Sequence, residues 1–528
     1  MSRVARYAAR RCLVGAWGAL AVQLAACKSS GEAPPDGPRI QIVGETVKVR
    51  RGEPPPAGSA VFDGRTVRLR AARGETLGLQ VLLHRTGERA VSLTLEGPGV
   101  AVEPFRVGFQ RVVEPSSKMY GPSLGAGAYP DILTPAPPGP VRADDEVYFD
   151  VAVAAAAAPG RRRGKLLVGA DRFPVELIIE PVAIELERGP LVWVWFKSAE
   201  LARKHGLDDG DSPAQIAIER SYMDLFRSHG ALLASDLPPA RLRARAELMT
   251  DDVRYWPVWV DRHDPTQLAA DVAAWLEFFR DRKQIPFTIG IDEPRDEDER
   301  ELARREGMAI RAAGGGHPRL LYAVTDGALP LYRGAVDVFI FPGSIPPPPG
   351  YGPDVRFWTY NGQSPVAGNM TIDKPGTALR TWGWIAERYD VELWYVWEGL
   401  YFTDRYNRAS RPTDLMSQPL TFDERRRGGE DFGNGDGVLV YPGPLPSLRL
   451  KALRRGLLDR LLLRRLAECG GAGGREQAAR LTAGLVPAAL GQAREAQSWP
   501  DDEVPWERAR QGALDAILTR CGADGHGS

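Results

Sequence analysis

The sequence predicts a multi-domain β and α/β protein: an N-terminal antiparallel β-sandwich, a (β/α)8 TIM-type barrel, and a C-terminal helical appendage. Three observations predict it. Residues 40 to 188 read as short alternating runs broken by turn chemistry, residues 189 to 445 as apolar strands alternating with amphipathic helices, and residues 446 to 528 as helical periodicity alone.

Two segments precede these domains. Residues 1 to 27 carry arginines at 3, 6, 10 and 11, then an apolar stretch from Leu13 to Ala26, too short for a comfortable membrane span. This is the pattern of an export signal. Its end, Leu24-Ala25-Ala26-Cys27, resembles the lipobox of bacterial lipoproteins, which implies removal of the signal and acylation of Cys27. Lys28, rather than Asp, follows the cysteine, so the resemblance implies an exported protein lipid-anchored to the cell envelope, at the outer membrane where the host has one. Residues 28 to 39 are polar and rich in Pro and Gly, as a flexible tether would be.

In the sandwich region TVRLRAA, TLGLQVLLHR, VSLTLEG, VEPFRVGFQRVV, EVYFDVAVA, KLLVGA and FPVELIIEPVAIEL read as strands. Ala154 to Ala158, just before Pro159-Gly160, reads as a strand end and turn. After Gly189-Pro190, LVWVWFK is a strand and 212 to 228 a helix with Asp211 or Ser212 as its cap. RYWPVWV precedes a helix from Pro265 to Lys283, and PFTIGI one from Asp296 to Ala312. RLLYAVT, DVFIFPG, VRFWTY and VELWYVW complete about eight strand candidates, the number a (β/α)8 barrel needs; an open doubly wound sheet is the alternative. Residues 402 to 436 hold no convincing periodic segment, and so long an irregular stretch in a compact domain is often functional. A helix is expected from Pro446 to Glu468, broken by GGAGG at 470 to 474, with its arginines on a solvated face.

Composition narrows the function. The chain balances 68 Lys+Arg against 68 Asp+Glu, so no whole-chain field draws nucleic acid, and a nucleic-acid partner is not expected. Six histidines show no paired metal-ligand spacing, and neither a GxSxG elbow nor a phosphate-binding loop occurs; no metal and no cofactor are expected. Asp431, Asn434 and Asp436 in DFGNGDG depart from calcium-loop spacing and read as a Gly-rich turn. An exported location permits a disulfide between Cys469 and Cys521.

The pattern that carries chemistry is Phe287-Thr288-Ile289-Gly290-Ile291-Asp292-Glu293-Pro294. A buried strand ends in two carboxylates, and Pro294 stops the strand from continuing. In a barrel, strand C-termini build the active site, and neighbouring carboxyls driven to different pKa values suit glycosidic cleavage. The competing reading is that one of them caps the acid-rich helix that follows. Five of the thirteen tryptophans lie between 358 and 397. Trp382 and Trp384 fall on a predicted helix and belong to the core. Trp358, Trp394 and Trp397, with Tyr360 and Tyr395, lie at or near strand ends, where they pack either the core or a sugar ring.

Together RGETLGLQVLL (73 to 83), AYPDILTP (128 to 135), IDEP (291 to 294), LRTWGWIAERYDVELWYVW (379 to 397) and GDGVLVYPG with SLRLKALRRGLLD (435 to 459) resemble, in order, glycoside hydrolase family 123 and its relatives sharing domain of unknown function 4091. The resemblance implies a β-sandwich followed by a (β/α)8 barrel, a carbohydrate substrate, and a retaining β-N-acetylhexosaminidase of N-acetylgalactosaminidase type. In that mechanism the substrate's own acetamido group attacks. Asp292 would orient that group, Glu293 would serve as acid and base, and Tyr360 or Tyr395 would hold the acetamido oxygen. The chain departs from the group where Glu392, Leu393, Trp394 and Tyr395 replace a glycine followed by Leu-Tyr-Trp, and in the charged loop DERRRGGED after Trp397. A catalytically silent glycan-binding lipoprotein, or a structural envelope protein, is the alternative function.

Overall fold

The computed structural model describes residues 40–54, 56–84, 87–186, 189–315, 320–405 and 411–522. The signal, the tether and the expected acylation at Cys27 lie outside the described residues. Residues 40–186 form two five-stranded sheets from β1 (Ile40–Gly44), β2 (Val67–Arg73), β3 (Thr76–Leu83), β4 (Arg89–Leu95), β5 (Val100–Val112), β6 (Gly127–Pro135), β7 (Val141–Ala143), β8 (Glu146–Val153), β9 (Gly160–Val168) and β10 (Asp171–Ala183). One sheet runs β1-β3-β8-β5-β6, antiparallel throughout; the other runs β2-β10-β9-β4-β7. Inward residues Leu69, Leu79, Val81, Phe149, Val151, Leu166 and Leu177 bury a common core between them. The sandwich is not wholly antiparallel: β10 pairs with β2 in parallel, Val175 opposite Val67. Those strands are not joined by a hairpin, so no turn dictates their relative direction.

The second layer set is a parallel sheet of β11 (Val192–Val194), β12 (Ala231–Leu233), β13 (Tyr255–Pro257), β14 (Ile285–Ile289), β15 (Leu321–Val324), β16 (Val338–Ile340), β17 (Arg356–Tyr360) and β18 (Trp394–Val396). Its order is β12-β11-β18-β17-β16-β15-β14-β13, which is chain order around a curled sheet. The curl brings Trp193 of β11 against Phe287 of β14, with ring centroids 4.8 Å apart, and Phe287 against Trp358 of β17 at 5.0 Å. No strand ladder joins β12 to β13. Just past their ends the Trp259 N–H donates to the Leu237 carbonyl at 3.2 Å, one backbone link across the seam. These features are those of a barrel-like domain.

Helices α1 (Ser198–Lys204), α2 (Pro213–Arg227), α3 (Pro239–Arg243), α4 (Pro265–Phe278), α5 (Glu297–Ala313) and α6 (Thr381–Tyr389) connect the strands. Capping sets several starts: Ser212 accepts from the Gln215 N–H, Asp264 from Thr266 and Gln267, and Asp296 from Glu299. The alternation fails after β15 and β16, where single turns of 3-10 helix at Pro330–Tyr332 and Pro342–Ser344 replace helices. The run Pro346-Pro347-Pro348-Pro349 supplies no N–H groups and cannot be helical.

The C-terminal helices correct the expectation of an appendage with solvated arginines. Helix α7 (Leu448–Cys469) packs on α6, on α8 (Gly471–Leu485), on α9 (Glu503–Cys521) and on β6. Its Arg449, Lys451, Arg454 and Arg455 are buried and paired with acids of the sandwich. Arg449 donates to Asp131 at 2.8 Å and Lys451 to Asp150 at 2.6 Å. Arg455 reaches Glu75 and Asp459, while Arg380 of the barrel-like domain takes the other Asp459 oxygen at 2.7 Å. The expected glycine break is narrower than GGAGG: Gly470 turns the chain, and 471–474 already form the first turn of α8. Gly474 is needed there because a Cβ would stand 2.1 Å from the Leu466 carbonyl oxygen. Cys469 and Cys521 are disulfide-bonded and tie the ends of α7 and α9 together.

Candidate active site

The strand ends of the parallel sheet and one loop of the sandwich enclose a cleft of about 690 Å³. Asp292 and Glu293, following β14, stand on its wall with Arg295. They do not cap α5; Asp296 does. Glu293 has φ +47°, in the left-handed region that non-glycine residues avoid, and such a conformation persists only where surrounding bonds hold it. The holding residue is Thr325, just past β15. Its hydroxyl accepts from the Glu293 N–H at 2.6 Å and donates to Asp292 Oδ1 at 2.8 Å.

Both acids are open to solvent through the cleft, yet protein crowds them closely. Burial therefore holds the Asp292 carboxyl above its ordinary range, against the Thr325 hydrogen bond and the Arg295 charge. Burial raises Glu293 too, and the Asp292 charge adds to it; the Tyr360 hydroxyl, hydrogen-bonded to Glu293, opposes both. Tyr360 stacks on Tyr395 at 5.3 Å, and Tyr395 on Trp193 at 4.5 Å, so an aromatic column rises from the core to the cleft.

The rest of the lining comes from the ends of β17 and β18 and from the 402 to 436 stretch. Asn361, following β17, takes φ +42°. Its backbone carbonyl accepts from the Trp394 indole at 2.7 Å, and its side-chain oxygen from the Trp397 N–H at 3.0 Å. The Trp397 indole donates to Asp436 Oδ1 at 3.2 Å, and Tyr120 of the sandwich donates to Asp436 Oδ2 at 2.8 Å. Burial raises the Asp436 carboxyl against these two donors. Gly437 follows at φ +72°, where a Cβ would meet Trp397 at 2.8 Å. Phe422, Glu424, Arg427 and Asp431, from the hairpin of β19 (Leu420–Asp423) and β20 (Phe432–Asn434), finish the rim.

Of the residues marked from sequence, Asp292, Glu293, Tyr360 and Trp397 line the cleft. Trp358 and Trp394 do not. Trp358 is fully buried among Tyr255 and Phe287, and its indole donates to Glu392 at 3.3 Å; Trp394 stacks at 4.6 Å on Trp382, beneath the sheet. Neither offers a face to a ligand. Tyr395 is buried and supports Tyr360 from behind. Glu392 lies just before β18, bonded to Tyr255, Arg356 and Arg254 and remote from the cleft, whereas Tyr395, the last residue of that departure, backs the cleft-lining Tyr360; the DERRRGGED loop is at the rim. Among the described residues no group of His, Cys, Asp and Glu could hold a metal ion.

Thr325, Asn361, Tyr120 and Arg295 escaped the sequence reading. The only signal for Thr325 is that it ends the strand-like RLLYAVT beside the one ending in Asp292; Tyr120 lies in a sandwich loop with no chemical motif.

No family model and no curated protein matches the chain. A glycosyl hydrolase family 2 member from Bacteroides cellulosilyticus overlaps it at a TM-score of only 0.25, with 12% identity over 62% of this chain and 44% of that one, too loosely to inform the fold. A family 123 glycoside hydrolase from Clostridium perfringens, solved in a study of glycolipid glycan hydrolysis, superposes with a TM-score of 0.60 at 10% identity, covering 92% of this chain and 98% of that one. The chain has the fold of that family 123 glycoside hydrolase across almost its whole described length.

Proposed function

We propose that the protein is a glycoside hydrolase that releases a terminal 2-acetamido sugar with retention, through attack by the substrate's own acetamido oxygen. The observation that supports this best is that Asp292 and Glu293, consecutive in sequence, stand together on one wall of the cleft. Two adjacent acids cannot straddle a sugar ring as nucleophile and acid on opposite faces. They suit a reaction in which the substrate supplies the nucleophile. Asp292 accepts from the acetamido N–H and sharpens its carbonyl oxygen, which bonds to the anomeric carbon as the glycosidic C–O bond breaks. Glu293, whose carboxyl burial and the Asp292 charge raise, gives its proton to the leaving oxygen. The resulting carboxylate then takes a proton from water, whose oxygen reopens the cyclic intermediate at the anomeric carbon. The fold shared with a family 123 enzyme supports the same reading.

The test is hydrolysis of aryl β-glycosides, the N-acetylgalactosaminide and N-acetylglucosaminide among them, by the purified protein and by Glu293→Gln. Release from a hexosaminide that disappears in a folded Glu293→Gln variant is expected. Undiminished release by that variant refutes the assignment. The lipobox-like ending supports export and anchorage through an acylated Cys27 at the outer membrane, which labelled fatty-acid incorporation lost in Cys27→Ala would verify.

A further inference from the structure

We infer that Thr325 is a positioning residue that decides which of the two cleft acids carries the proton. The inference rests on the proposed acid and base roles of Asp292 and Glu293 and extends them to a residue that contacts both. A threonine hydroxyl has one hydrogen to give. Here its oxygen accepts from the Glu293 N–H at 2.6 Å, which points that hydrogen at Asp292 Oδ1, 2.8 Å away. A donor aimed at Asp292 favours its carboxylate over its acid form. The retained charge on Asp292 then favours the protonated form of its neighbour, Glu293. One hydroxyl thus acts on Asp292 alone of two carboxyls that burial raises together.

The same hydroxyl holds the shape of the site. At φ +47° the Glu293 N–H finds its partner in the Thr325 hydroxyl. Thr325 is buried, so no water replaces it cheaply. The other groups facing the pair are Arg295, which favours both carboxylates, Tyr360, which bonds Glu293, and Glu424, whose charge opposes Glu293 ionisation. None of them touches both Asp292 and the Glu293 backbone.

The experiment compares Thr325→Val and Thr325→Ser with the unaltered full chain, by pH profiles of kcat/KM on the hexosaminide that it hydrolyses. Valine keeps the side-chain volume and loses the hydrogen bonds, so Asp292 should ionise later. The acid limb should move up by about one unit or more while the basic limb stays, narrowing the bell from its acid side. Serine should restore the acid limb. Unmoved limbs with a uniform loss of rate would show a merely structural residue and overturn the inference, as would a serine variant that narrows like valine. Glu293→Gln run alongside separates the two levels: its full activity sinks the proposed reaction, whereas its inactivity beside an unshifted Thr325→Val sinks only this inference. Should none of the glycosides be hydrolysed, infrared titration of the carboxyl bands, assigned with Asp292→Asn, reads the same order directly. The Asp292 band should titrate higher in Thr325→Val, and coincident titration overturns the inference.

Discussion

The hydroxyl of Tyr120, carried by the β-sandwich, donates to Asp436 of the barrel-like domain at 2.8 Å, and the two residues line the cleft that holds Asp292 and Glu293. The sandwich is therefore part of the site. Its loop is latched by Asp373, which accepts from the Ser116 N–H at 2.8 Å and the Ser116 hydroxyl at 2.7 Å, and by Lys374, bonded to the Gly121 and Pro122 carbonyls at 2.7 and 2.8 Å. Tyr120→Phe leaves Asp436 with the Trp397 indole and the Gly437 backbone N–H. Loss of a hydrogen bond to a charged group, roughly 1.5 kcal/mol, should lower kcat/KM about tenfold, mostly through KM, with the fold intact by circular dichroism. An unchanged kcat/KM would show that the sandwich only braces the cleft.

Stability should fall as pH rises from about 5 to 8, and Glu146 should account for part of the slope. Its side chain is buried beside Asp145, one carboxyl oxygen lacks a partner, and burial lifts its pKa to about 8. In the unfolded chain the group ionises near its ordinary value. Between those pH values the folded protein therefore binds more protons than the unfolded one, and each pH unit removes up to about 1.4 kcal/mol. Glu146→Gln should flatten the dependence of Tm on pH in that window. An identical slope in the variant would mean that Glu146 does not titrate there.

How much of this was legible in the sequence depends on whether the deciding interaction is local. Strand alternation and N-cap residues are local, and Ser212 and Asp296 begin helices where the pattern predicts. The Asp292-Glu293 pair was legible because a strand end and Pro294 mark it. Trp358 and Trp394 misled because a strand alternates its faces: Trp358 points into the packed interior and Trp394 away from it towards Trp382, and the residue type does not reveal which. The buried arginines of α7 misled for a related reason. Their partners Asp131, Asp150 and Glu75 lie 318, 301 and 380 residues earlier, so composition alone suggested a solvated face.

That ion cluster should matter far more to stability than the exposed pairs. Arg455 is 2% exposed and joins Glu75 and Asp459, both at 0%. Arg455→Met would leave two buried carboxylates with one fewer cation between them, costing about 3–5 kcal/mol by the usual penalty for breaking a buried pair. Arg480→Ala, which removes an exposed partner of Glu476 on α8, should leave Tm unchanged. Scanning calorimetry on both variants decides it, and equal Tm values would mean that the cluster is dispensable.

The disulfide should stabilise the C-terminal helices without touching catalysis. Cys469 and Cys521 are separated by 52 residues in sequence, a closure worth roughly 4 kcal/mol in a chain-entropy account of the unfolded state. Neither cysteine lines the cleft, and the helix ends that they join lie outside its walls. Reduction, or Cys469→Ser with Cys521→Ser, should lower Tm while leaving kcat and KM at a temperature well below the transition as they were. A loss of activity in the folded, reduced protein would show that α7 transmits the strain of its C-terminal end to Arg449, whose guanidinium bonds the Gly435 carbonyl at 2.7 Å, next to Asp436.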